Sequence, residues 1–131
     1  MQPRVSFTLS VRNAARAVDF YKRAFGADEV HRAQSPDGDV VAQLELGGDR
    51  FFVADESPDN GNFSPESLED RSTVRLALIV DDPDALAQRA IEAGAKELSP
   101  VADQAYGWRL GRVVDPFGHH WEIGKPLHDQ G

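Results

Sequence analysis

The sequence predicts an α+β protein in which one βαβββ unit occurs twice. Three observations carry this expectation: an alternating strand runs straight into a capped amphipathic helix, the pattern recurs 69 to 70 residues later, and a polar segment separates the copies. Residues 4–11, RVSFTLSV, put Val5, Phe7, Leu9 and Val11 on one face and Ser6, Thr8 and Ser10 on the other. That period of two is a half-buried strand. Asn13 then suits an N-cap, Ala14, Val18, Tyr21 and Phe25 form an apolar stripe, and Gly26 suits the left-handed position after the last turn. Three strand-like runs follow, about 28–34, 39–46 and 50–55, divided by the turn signals SPDG and GG.

The second copy follows the same order. VRLALIV, residues 74–80, alternates again, with Val74, Leu76, Leu78 and Val80 on one face. Asp82 can cap the next helix, Pro83 falls where a first-turn proline is tolerated, and Gly94 closes it. Strands are expected near 96–102, 109–114 and 119–124. Val11 maps onto Val80 and Gly48 onto Gly118, shifts of 69 and 70 residues, so an internal duplication is the economical reading. The chain is thus expected to form one domain over 1–131: module one at 4–55, a linker at 56–73 and module two at 74–126. Residues 56–73 earn the word linker by being rich in Ser, Pro, Asn, Asp and Glu.

Composition narrows the function. With 40% hydrophobic and 27% charged residues the 131-residue chain belongs among globular proteins, and its longest apolar runs fall short of a bilayer span. Ser6, Thr8 and Ser10 interrupt what would be the apolar core of a secretory signal, and there are no cysteines for disulfides or thiolate metal sites. A cytoplasmic protein is expected. A net charge of −8, from 14 Lys and Arg against 22 Asp and Glu, argues against nucleic acid as a partner. No membrane partner is expected either.

Two βαβββ copies, with FYKRAFGA after the first strand and DPFGHHWEIGKP at the end, resemble the vicinal oxygen chelate superfamily of glyoxalases, extradiol dioxygenases and bleomycin-resistance-type binding proteins. More narrowly, YGWRLGRVVDPFGHHWEI resembles the PhnB-like branch, with Trp108 standing where that branch usually has an acidic residue. The resemblance implies curved mixed sheets around a cavity, often in a homodimer. It also implies that metal-using members draw one ligand from each first strand and one from each last strand, here Ser6, Arg75, Phe52 and Glu122. Only Glu122 is an acceptable ligand, since a guanidinium stays protonated and phenylalanine has no donor atom. No cofactor is therefore expected, and a divalent metal belongs to the alternative reading.

The stretch VVDPFGHHWEI holds the densest chemistry. Asp115, Pro116, Phe117 and Gly118 fit a type I turn, after which alternation puts His120 and Glu122 on one face and His119, Trp121 and Ile123 on the other. Residues two apart on a strand lie about 6.6 to 7 Å apart, so His120 and Glu122 can reach one ligand. They are the catalytic candidates, as an acid/base pair, and equally a polar anchor or a structural pair; His119 is expected on the turn's surface. Arg75 shares the cavity face with Ala77 and Ile79, either clamping an anion or pairing with Glu122. Ser6, Thr8 and Ser10 line the first module's cavity wall or an ordinary solvated face. Phe52 makes the cavity apolar, and Trp108 with Arg109 forms its rim, Trp108 stacking on a planar ligand or packing at a subunit interface. The expected ligand set is Ser6, Thr8, Phe52, Arg75, Trp108, Arg109, His120 and Glu122, and the expected partner an aromatic or anionic small molecule bound to a homodimer. Three functions stay open: a metal-independent binding protein, a lyase, isomerase or dioxygenase, and a structural dimerisation domain.

Overall fold

The architecture is seen in a computed structural model that describes residues 1–128. Module one contains β1 (Thr8–Val11), α1 (Ala14–Phe25), β2 (Asp28–Gln34), β3 (Val40–Leu46) and β4 (Asp49–Asp55). Module two contains β5 (Arg75–Ile79), α2 (Pro83–Ala93), β6 (Lys96–Asp103), β7 (Trp108–Val114) and β8 (His120–Pro126). Each module forms its own mixed four-stranded sheet, in the orders β1-β4-β3-β2 and β5-β8-β7-β6. The βαβββ duplication is thus the fold itself.

Both helices start and stop where their end groups dictate. Asn13 and Asp82 accept the exposed amides of Arg16 and Ala85, each at 3.1 Å. At the end of α1, Gly26 takes φ +75° while its amide donates to Lys22 and that of Ala27 donates to Tyr21. This paired closure satisfies two carbonyls that would otherwise lack donors. The first strand is shorter than its alternation suggests: the ladder with β4 starts at Thr8 opposite Phe52, and residues 1–7 are exposed. Phe7 still accepts a 2.9 Å hydrogen bond from the amide of Phe52.

The helix-facing sides of the two sheets meet in one core. Leu9, Val11, Ala42, Leu44, Phe51 and Val53 come from the first sheet, and Val113, Trp121 and Ile123 from the second. Trp121 crosses the module boundary, with its ring 5.5 Å from Tyr21, 4.8 Å from Phe25 and 6.3 Å from Phe51. Arg89 on α2 donates to the carbonyl of Arg23 at the end of α1, at 2.7 Å. Every second residue of each sheet therefore points away from this core, and the face it forms is left half-buried or exposed. Among the described residues, no helix is long and apolar enough to cross a membrane.

Residues 56–73 are polar yet ordered, with short 3-10 turns at Pro58–Asn60 and Pro65–Leu68. The reason lies in its own hydrogen bonds. Glu56 accepts from the amide of Ser64 and the hydroxyl of Ser67, both at 2.9 Å, and Ser64 is fully buried. What composition marks as a linker is a strap docked across both modules.

Candidate functional site

The second sheet's open face gathers the charged candidates. In the parallel ladder of β5 and β8, Arg75 pairs with His120 and Ala77 with Glu122; across the β7–β8 hairpin, Arg112 pairs with Glu122 and Val114 with His120. These positions share one face because side chains alternate. Arg75 Nε donates to Glu122 Oε1, and Arg112 Nη2 reaches the same oxygen at 3.3 Å. Two guanidiniums thus converge on one carboxylate, whose side chain is 19% exposed while that of Arg75 is 63% exposed. Trp108 and Leu110 extend the same face along β7, and Ile79 extends it along β5. Of the two readings of Arg75, the ion pair with Glu122 is present.

Other candidates lie elsewhere. Arg109 points to the helix side, where it holds both oxygens of Asp84 on α2 at 2.7 Å and Asp103 at 3.0 Å. It is one residue out of phase with Trp108, so it cannot share the rim expected of it. These bonds hold the Asp84 carboxyl below its ordinary range. Phe52 sits on the first sheet, lining an open cavity of about 770 Å³ with Ser6, Gln43 and Arg50. Ser6 donates to the carbonyl of Arg50 at 3.1 Å. Thr8 lines a separate cavity of about 310 Å³ between β1, the strap and β5, beside Ser10, Phe63, Leu68 and His119. The chain brings Arg75, His120, Glu122 and Trp108 to one sheet face and leaves Ser6, Thr8 and Phe52 on the other module.

His119 is not the surface histidine its place beside a turn suggests. Its ring turns inward, half-buried, with Nε2 3.0 Å from the carbonyl oxygen of Ser10 in module one. Its neighbour in the turn, Asp115, is more than a turn former. Buried beneath the hairpin, it accepts from Tyr21 Oη, from Trp121 Nε1 at 2.9 Å and from the amides of Phe117 and His119 at 2.9 and 3.0 Å. Burial first, and the Asp115 charge second, push the Tyr21 hydroxyl well above its ordinary value of 10.0. Sequence reasoning missed Asp115 and Tyr21 as a pair, and it missed Arg112. A signal for Arg112 existed: counting back across the Asp115–Gly118 turn from Glu122 reaches it directly.

A duplicated βαβββ chain with paired open sheet faces defines a class, and comparison with known proteins agrees. Residues 6–124 match the glyoxalase-like domain family, and the chain belongs to it. An uncharacterized protein of Mycobacterium bovis is 40% identical over 133 residues, covering 98% of this chain and 87% of that one. The structure of an Arabidopsis thaliana gene product superimposes with a TM-score of 0.68 at 29% identity, covering 93% of this chain and 94% of its own. A glyoxalase-related enzyme from Fulvimarina pelagi gives 0.74 at 24% identity, covering 95% and 88%, and shares the fold. The fold is also shared with a glyoxalase/bleomycin resistance protein/dioxygenase from Nocardioides and the fosfomycin resistance protein FosX from Mesorhizobium loti, each with a TM-score of 0.70.

The four positions where that superfamily resemblance expects metal ligands do not form a donor set. Ser6 is engaged with Arg50, Phe52 offers carbon, Arg75 is cationic and Glu122 already accepts from two guanidiniums. Among the described residues no group of three or more His, Cys, Asp or Glu side chains is arranged to hold a metal ion. The residues present do not fit the metal.

Proposed function

We propose that this protein binds a small organic molecule without a metal, as a member of the glyoxalase/bleomycin-resistance type. The observation that carries this reading is the Arg75–Glu122–Arg112 cluster, which puts fixed positive charge where a metal-using relative has a ligand pair. A cation brought there would meet two guanidiniums before it met a free carboxylate. Glu122 as a catalytic base beside His120 is disfavoured for the same reason, since its Oε1 is spent on both arginines. The order and spacing of YGWRLGRVVDPFGHHWEI support the PhnB-like branch, and the absence of cysteine accords with a reducing cytoplasm. The working form is a homodimer in which a second copy covers the open sheet faces. Elemental analysis tests the metal arm: protein purified without chelator should carry no stoichiometric Zn, Fe, Mn or Ni. About one metal per chain, lost on Glu122→Ala, would overturn the reading.

A further inference from the structure

We infer that the second sheet's open face binds an organic monocarboxylate, held by the two guanidiniums of Arg75 and Arg112. This deepens the metal-independent binding reading and rests on it. Both arginines contact the same oxygen, Glu122 Oε1, so both guanidiniums are gathered around one carboxylate. Among the described residues, Glu122 is the only carboxylate within ion-pair distance of either one. Two positive charges against one negative leave a single positive charge uncompensated, in a chain whose total is −8. An excess cation held on a sheet face attracts anions to that place against the general repulsion of so acidic a chain.

Geometry selects the ligand's shape as well as its sign. Arg75 uses Nε on Glu122, which leaves its two terminal nitrogens; Arg112 uses Nη2, which leaves its opposite edge. A planar carboxylate can take paired N–H bonds from such an edge. Charge balance favours a monoanion, because a dianion would leave one negative charge over. The ligand's body has an apolar floor to rest on, since Ala77, Ile79, Leu110 and Trp108 share this face with the arginines. The class is an aryl or alkyl monocarboxylate.

Calorimetry with benzoate, benzamide and phenylphosphonate tests this on the full-length protein, its Arg75→Gln and Arg112→Gln variants, and Arg32→Gln. Arg32 lies on β2 of the other module, paired with Glu29, and controls for loss of one positive charge. Benzoate should bind at least tenfold more tightly than neutral benzamide and more tightly than phenylphosphonate. Each of Arg75→Gln and Arg112→Gln should weaken benzoate at least tenfold with circular dichroism unchanged, and Arg32→Gln should not. If Arg112→Gln fails to fold, Arg75→Gln, the less buried of the two within the chain, still decides. Equal binding of benzoate and benzamide, indifferent to both substitutions, would overturn the anion inference and leave small-molecule binding standing. Tighter phenylphosphonate would overturn the monocarboxylate class, and no binding of any probe at millimolar concentration would overturn the whole inference. Metal content, measured separately, judges the reading on which it rests.

Discussion

At the level of single residues, the most consequential side chain is Asp115, an acid with no cation beside it. Four donors take the place of a counter-ion, two of them from Tyr21 and Trp121 in a shared core. Alanine there would strand all four, so Asp115→Ala should cost about 3–5 kcal/mol in urea unfolding, and Tyr21→Phe about 1.5–3. A pH dependence follows from the same bond. Tyr21 holds its proton more tightly when folded than its ordinary value of 10.0. Its contribution is therefore complete below about pH 10 and drains away as pH rises through the higher folded value. Stability should fall above pH 10 more steeply in the parent than in Tyr21→Phe. Tyrosinate absorbance gives the check: Tyr21 should ionise only as the fold is lost, and its ionisation in folded protein would refute the buried bond. Alternation, the duplication and the family resemblance together made Arg75 and Glu122 legible as neighbours. Asp115 was legible only as a turn former, because burial of a turn depends on what the other module lays over it.

Among the elements, strands and helices were readable because each carries its own signal, a period of two or a pair of caps. The strap was not, since composition marks neither the bonds from Ser64 and Ser67 to Glu56 that order it nor the meeting of Pro65 with Gly118 in the other module. Pro65 of the strap presses on Gly118 of the β7–β8 turn. A Cβ at position 118 would come within 2.6 Å of the Pro65 Cβ, and the residue's φ of +93° disfavours any side chain. Gly118→Ala should therefore destabilise by about 2–4 kcal/mol, from backbone strain plus overpacking. It should also lift the strap, seen as faster hydrogen exchange between residues 57 and 71. Unchanged exchange with a lowered melting temperature would mean that strain alone acts and that the strap is held by Glu56.

For the molecule as a whole, alternation foretold which side chains leave the core, and duplication foretold two sheets. How the modules dock was not foretold, because nothing local marks Trp121 as the residue that enters its neighbour's aromatic cluster. That docking uses up the helix sides and leaves both sheets with an open face, including Val41 at 42% and Ile79 at 65% exposure. The accessible surface is 8192 Å², whereas a monomeric protein of 14.4 kDa is expected to expose about 6,800 Å². Part of the excess lies in exposed residues 1–7, and the open sheet faces are the surface that a standard interface of roughly 800 Å² per partner would cover. Sedimentation should accordingly report twice 14.4 kDa at micromolar concentration. A glutamate at Val41 or Ile79 would place charge on the faces that the proposed dimer covers, so Val41→Glu and Ile79→Glu should shift the protein toward monomer with its circular dichroism intact. A parent chain still monomeric at high micromolar concentration would leave both faces to solvent, and the cavity would then have to be formed by one chain alone.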